Sequence, residues 1–186
     1  MKKYEITAIT ATVCEYGCEL DGKFMEPEER GPKFYNMHYP VLATGDGDFM
    51  GTVVYRIRAL CDIPEIGVEA GQLGGYIEEE ENLSQRGNCW VHDNAVVYND
   101  GKVRGDAQVR NFAVINGGTI GSNAEVFDKA YILDTDVGID AIISGSATTY
   151  RGRISSSTLK GDACALSDYN QGCLVNCDIA TGVVRY

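Results

Sequence analysis

Histidine and basic residues are scarce in this sequence. His38 and His92 are the only two histidines among 186 residues, and 16 Lys and Arg face 27 Asp and Glu, which gives a formal charge of −11. Proteins that bind nucleic acid directly need clustered Lys and Arg to neutralise phosphates. The deficit of positive charge argues against direct nucleic-acid binding. It also leaves only two candidates for a histidine base.

Long apolar runs are absent as well. No stretch is long enough to span a bilayer, and Met1-Lys2-Lys3 is not followed by the apolar core of a signal peptide. The seven cysteines are an odd number and do not form the paired spacing of a zinc site. We therefore predict reduced thiols, no metal, no membrane contact and a cytoplasmic location.

A short motif returns many times in the second half of the chain: a small residue, any residue, then an aliphatic residue. The successive copies begin at Cys89, Ala95, Gly101, Ala107, Ala113, Gly118, Ala124, Ala130, Thr135, Ala141, Ala147 and Gly152. Alternation with period two indicates strands rather than helices. The copies are five or six residues apart, and every third copy restores the starting pattern. Such a fixed period is typical of a solenoid.

The repeat predicts an all-β fold of about five to six triangular coils, with one short strand on each side of the triangle. Each coil buries its apolar residues by stacking on the next coil, and the backbones then pair in parallel. The alternative, a sandwich of unrelated strands, gives no reason for a constant period. We assign residues 1–69 to an N-terminal antiparallel β cap, 70–180 to the parallel β-helix and 181–186 to a C-terminal tail.

The six-residue steps resemble the hexapeptide repeat of left-handed parallel β-helices, which implies a single-stranded left-handed helix. A second likeness precedes the coils. Ala70-Gly71-Gln72-Leu73-Gly74-Gly75-Tyr76-Ile77, followed by Gly87-Asn88-Cys89-Trp90-Val91, is similar to YdcK-like β-helix proteins. That family occurs in enteric bacteria, gut Firmicutes and their phages, and its members are often labelled polymer-forming or acetyltransferase-like. The resemblance therefore implies an accessory role in a bacterium or phage, and the host cytoplasm as the location if a phage encodes the chain.

The catalytic signals in the sequence are few. Hexapeptide acyltransferases usually place a histidine base between subunits, and His92 beside Trp90 and Asp93 is the weak candidate here, as a base oriented by a carboxylate. A surface histidine at a turn is the alternative. The sequence contains no nucleophile elbow, phosphate loop or paired metal-ligand motif. No catalytic residue beyond that candidate, and no cofactor, is predicted.

The second side of the triangle carries outward apolar and aromatic residues, and we predict that it is an interface of a homo-oligomer. Its six candidate interface residues are Val96, Tyr98, Val114, Tyr131, Leu133 and Tyr150. The alternative is that the cap or the C-terminal tail of the same chain covers this side.

The sequence favours a non-enzymatic binding or scaffolding protein that engages a protein partner through flat faces and an acidic surface. A basic, nucleic-acid-binding protein suits that charge, and inhibition of a host defence enzyme is one version of this hypothesis. One alternative is a hexapeptide-type acyltransferase that uses acetyl-coenzyme A. A second alternative is a self-assembling structural protein.

Overall fold

The computed structural model describes residues 2–14, 51–167 and 172–186, together with five short strands between residues 18 and 43. Among these residues, seven strands precede the repeat: β1 (Tyr4–Cys14), β2 (Cys18–Leu20), β3 (Lys23–Met25), β4 (Glu28–Arg30), β5 (Met37–Tyr39), β6 (Val41–Ala43) and β7 (Thr52–Ala59). Two short 3₁₀ helices follow at Pro64–Ile66 and Glu80–Asn82. Within the described part of the chain, no helix is long and apolar enough to cross a membrane.

The repeat forms a parallel β-solenoid of about six turns, so the predicted all-β solenoid fold with antiparallel N-terminal strands is confirmed. Its strands are β8 (Leu73–Ile77), β9 (Trp90–Val91), β10 (Val96–Tyr98), β11 (Lys102–Val103), β12 (Gln108–Val109), β13 (Val114–Asn116), β14 (Thr119–Ile120), β15 (Glu125–Val126), β16 (Tyr131–Leu133), β17 (Asp136–Gly138), β18 (Ile142–Ile143), β19 (Thr148–Tyr150), β20 (Arg153–Ser155), β21 (Thr158–Leu159), β22 (Cys164–Leu166), β23 (Cys173–Val175), β24 (Asp178–Ile179) and β25 (Val183–Arg185).

Parallel pairing between coils sorts these strands into three faces. The first face contains β9, β12, β15, β18, β21 and β24, and the third contains β11, β14, β17, β20 and β23. The second face contains β8, β10, β13, β16, β19, β22 and β25, and it continues into the N-terminal strands β7, β1 and β6. The cap and the solenoid therefore share one continuous sheet.

The small and aliphatic members of each motif form the core, as the alternation predicts. Residues such as Ala124, Val126 and Ile132 have no exposed surface, and they belong to one cluster that runs along the axis of the solenoid. A small side chain at each corner and an aliphatic one beside it fill the triangle. The fold is thus held by stacking rather than by any single coil.

The corners between the first and second faces show why Asn and Asp recur there. Asp93, Asn111 and Asp128 all have positive φ, which short polar side chains tolerate. The side-chain oxygen of each accepts the backbone N–H of the matching corner residue in the next coil, at 3.0–3.2 Å for Asn111, Asp128 and Gly145. These polar residues therefore link successive coils.

Simple alternation lets the N-terminal strands pack on both sides. The register of β1 against β7 shifts between Ile6 and Thr10, where four residues of β1 stand against two of β7, so the alternation of side chains stays in phase. Tyr4, Ile57 and Ala59 point inward and join the axial core, whereas Ala11, Val13 and Val54 point outward and join a cluster on the outer side of the second face.

The alternation predicts unequal costs for removing two isoleucines. Ile132 has no exposed surface, whereas Ile142 points outward and is 38% exposed. Truncation of a buried isoleucine to alanine costs about 2–5 kcal/mol of stability, whereas surface changes usually stay within about 0.5 kcal/mol. Urea unfolding followed by circular dichroism should therefore show a large loss for Ile132→Ala and a small one for Ile142→Ala. Equal losses would contradict the assigned facing of these strands.

Candidate functional site

The candidate site lies on the first face, in the two coils nearest the cap. It consists of Trp90, His92, Gln108 and Arg110, which we call the first-face cluster. Trp90 and Gln108 are neighbours in the parallel register of β9 and β12, and the His92 N–H donates to Val109 O at 2.8 Å. Stacking of one coil on the next therefore places His92 and Arg110 in adjacent positions beyond the two strands.

His92 is half-buried and is held by Gln108. Its Nε2 lies 2.8 Å from Gln108 Oε1. Gln108 is itself only 4% exposed, and its amide nitrogen donates to Asn88 O at 2.9 Å and to Asp106 O at 3.0 Å. Within the described ranges, Nδ1 of His92 has no hydrogen-bond partner. One ring nitrogen is thus fixed, and the other makes no hydrogen bond within the described structure.

The environment of His92 favours the neutral imidazole. Burial lowers the pKa of His92 below its ordinary value of 6.5, and the nearby Arg110 charge lowers that pKa further. The hydrogen bond to Gln108 and the charge of Asp93 oppose this shift without reversing it. At neutral pH the side chain therefore carries a lone pair that can accept a proton.

The structure corrects the expected role of Asp93. The sequence suggested that its carboxylate orients His92, but Asp93 Oδ2 accepts the backbone N–H of Asn111 at 3.0 Å. The Asp93 carbonyl in turn accepts a hydrogen bond from Arg56 Nη2. Asp93 is occupied in joining coils, and Gln108 takes the orienting position. Sequence reasoning missed Gln108 because it lies one coil away from His92.

Trp90 is the middle residue of its motif, a position that alternation points away from the axis. It is nevertheless completely buried. Its ring meets that of Tyr4 edge to face, with centroids 6.2 Å apart. Two buried donors on this face, Trp90 Nε1 and Arg110 Nε, find no acceptor among the described residues. Since most buried donors in proteins are paired, these N–H groups are unusual for a face that only joins coils.

Cys89 precedes Trp90 but does not have the properties of a nucleophile. Its thiol is buried, and burial raises its pKa even though the ammonium group of Lys3 lies 3.4 Å from the sulfur and acts in the opposite direction. A thiol that stays protonated is a poor nucleophile. In the part of the chain that the structure describes, no group of three or more His, Cys, Asp and Glu side chains could hold a metal ion.

The chain itself buries most of the residues predicted to form an interface. Val96, Tyr98, Val114 and Tyr131 are each at most 5% exposed, and they pack in one cluster with the cap residues. Leu133 packs partly buried against that cluster, and Tyr150 is half-buried beneath the guanidinium group of Arg151. The surface available to a second copy on this face is therefore smaller than the sequence suggested. The homo-oligomer itself stays a prediction.

A concave feature lies where the second face turns into the third. It is an open groove of about 540 Å³, with four carboxylates, those of Glu78, Glu79, Asp100 and Asp134, on its wall. Leu133 adds an apolar contact to the same groove. These acids follow β8, β10 and β16, which are three of four successive strands of the second face, so only the stacking register brings them together. Their separate positions in the sequence gave no sign of a shared groove.

Comparison with known proteins gives one informative likeness. No family model matches the chain. A protein of Escherichia coli (strain K12) described as "Uncharacterized acetyltransferase YdcK" is 33% identical over 73 residues, which is 39% of this chain. That relative is much longer, since the matched part spans 22% of its length. The likeness and the solenoid fold together fit a hexapeptide-repeat β-helix with a distant acetyltransferase-like relative.

The lowered pKa of His92 predicts a specific pH dependence of stability. Unfolded histidine titrates near pH 6.5. Just below that pH the unfolded chain binds a proton at His92, whereas His92 of the folded chain stays neutral because its pKa is lower. Stability should therefore fall as the pH drops from above 6.5 towards the folded pKa of His92. Urea unfolding midpoints between pH 7.5 and 5 should fall less in His92→Gln than in the wild type. Parallel curves for the two proteins would contradict the lowered pKa.

Proposed function

We propose that this chain is an acyltransferase of the hexapeptide-repeat type, with acetyl-coenzyme A as donor and His92 as general base. The observation that carries this proposal is the neutral, half-buried imidazole whose Nδ1 has no partner in the described structure. The likeness to a protein described as an acetyltransferase supports it. That likeness also favours the enzymatic alternative over the scaffolding hypothesis that the sequence alone suggested.

The proposed step needs one proton acceptor. His92 removes the proton from a hydroxyl or amino group of the acceptor, and the freed lone pair attacks the thioester carbonyl. Collapse of the tetrahedral intermediate breaks the carbon–sulfur bond, and the imidazolium returns its proton to the departing thiolate. The products are the acetylated acceptor and coenzyme A, so atoms and charges balance.

A half-buried cation beside the imidazole suits this chemistry. Trp90 Nε1 and Arg110 Nε are themselves buried, so a ligand can meet the charge of the Arg110 side chain but not these two N–H groups. The guanidinium group of Arg110 also offers positive charge near the imidazole on a protein that is otherwise acidic. A carbonyl, carboxylate or phosphate oxygen would meet these requirements.

The test of this proposal compares the two histidines. Purified wild type, His92→Ala and His38→Ala are titrated with acetyl-coenzyme A by calorimetry. Their release of coenzyme A is then followed by chromatography with a panel of amino and hydroxyl acceptors. Loss of a general base typically lowers turnover about 10²–10⁴-fold. We expect this loss in His92→Ala alone, with donor affinity retained in both variants. A wild type without donor affinity, or a fully active His92→Ala, would refute the proposal.

Protein binding is the second candidate function, and the acidic groove favours it. Four carboxylates within one open groove present a dense negative charge to a basic partner, including a basic nucleic-acid-binding protein. The groove is at a different corner from the first-face cluster, so the two functions do not exclude each other.

A groove with half of its negative charge removed should lose such a partner. The double variant Asp100→Asn with Asp134→Asn removes two charges from the groove wall, whereas Glu65→Gln with Asp162→Asn removes two exposed charges elsewhere. In affinity capture from a host lysate at low salt, a basic protein should be retained by the wild type and the second variant only. High salt should release it, since screening weakens exposed charge pairs. Equal capture by all three proteins would remove the groove from consideration.

A further inference from the structure

Gln108 determines which ring nitrogen of His92 carries the proton. A neutral imidazole has one N–H donor and one acceptor nitrogen, and its neighbours decide which nitrogen is which. Here the neighbour is a side-chain amide, which has a donor end and an acceptor end. The orientation of that amide therefore decides which nitrogen of His92 carries the proton.

Two backbone carbonyls settle the orientation of the Gln108 amide. The carbonyl oxygens of Asn88 and Asp106 lie 2.9 Å and 3.0 Å from the amide nitrogen, and both can only accept hydrogen bonds. If the amide were flipped, its oxygen would face two other acceptors and the two hydrogen bonds to these carbonyls would be lost. Because Gln108 is only 4% exposed, water cannot replace those bonds. Oε1 must then point to His92.

We infer that Gln108 is a positioning residue that holds His92 in the neutral tautomer protonated on Nε2, so that Nδ1 is the nitrogen that accepts a proton. An oxygen acceptor 2.8 Å from Nε2 requires a hydrogen on that nitrogen. The catalytic consequence of this inference rests on the function proposed above. The tautomer itself does not, and it is measurable without any substrate.

The same contact prepares His92 for the charged form that follows proton uptake. When Nδ1 gains a proton, the Nε2–H bond to Gln108 Oε1 persists and stabilises the imidazolium. The charged neighbours of His92 are Arg110, which opposes the positive charge, and Asp93, which favours it. Removing the acceptor oxygen of Gln108 should therefore lower the pKa of His92 further.

The tautomer can be read by nuclear magnetic resonance of the full chain labelled with ¹⁵N in histidine. Protonated and unprotonated ring nitrogens have widely separated ¹⁵N shifts, and the chain contributes only two imidazoles, His38 and His92. His38→Gln removes the second set of signals and assigns the first. At a pH where His92 is neutral, its Nε2 should give the shift of a protonated nitrogen and Nδ1 that of an unprotonated one.

Two variants of Gln108 and one control variant test whether the amide sets the tautomer of His92. Gln108→Lys offers donors to the same two carbonyls but no acceptor, so Nε2 must accept and the proton should move to Nδ1. Gln108→Met removes both ends of the amide at similar size and should give a mixture of tautomers with a lower titration midpoint for His92. Glu125 pairs with Gln108 in the register of β12 and β15 and lies one coil further from His92. Glu125→Met should therefore leave the His92 spectrum unchanged.

The outcomes separate the inference from the proposed function. A wild-type His92 that is protonated on Nδ1, or whose tautomer is the same in Gln108→Met and Gln108→Lys as in the wild type, would overturn the role of Gln108. The expected tautomer in a protein without acetyl-coenzyme A turnover would uphold that role and remove the acyltransferase proposal. If both hold, Gln108→Lys should lose turnover about 10²-fold or more, as expected for a base whose accepting nitrogen is blocked, while donor affinity is retained.

Discussion

The stacking of coil on coil is the interaction on which the rest of this molecule depends. A coil of about six residues per side has no interior of its own, so its aliphatic side chains are buried only when another coil lies above and below. Ala124 and Val126 have no exposed surface for this reason. The backbone ladders follow the same rule, because each short strand finds its partners in the neighbouring coils rather than in its own.

A stacked structure has a problem at its first coil, and the cap resolves it. An uncovered coil would expose both a strand edge and the axial core. The N-terminal ribbon satisfies the edge by pairing β7 with β8, and it fills the end of the core with Tyr4 and Ile57. Alternation along β1 points Ala11 and Val13 the other way, onto the outer side of the second face. One ribbon thus closes the end of the solenoid and covers part of its side.

The sequence predicts the solenoid well because the repeat is a local pattern with a direct structural meaning. The alternation assigns Ile132 to the core and Ile142 to the surface, and both assignments agree with the structure. The packing of the N-terminal strands on the outer side of the second face was not predicted, since it depends on which strands pair with one another, β1 with β7 and β7 with β8. Tyr98 was therefore expected at an exposed interface but is buried within the chain. The candidate site was predicted only as His92, because its partner stands on another coil.

That separation explains how a repetitive fold can acquire a specific site. Each outward position on a solenoid has a neighbour one coil away at a fixed distance, so a single substitution in one coil changes the surroundings of a residue in the next. His92 would be an ordinary half-buried histidine without Gln108, whose amide is locked by two carbonyls that the coil turns supply. The scaffold contributes the register and the locked amide, and the side chains contribute the chemistry. A search for function in such proteins should therefore compare residues along columns between coils rather than along the chain.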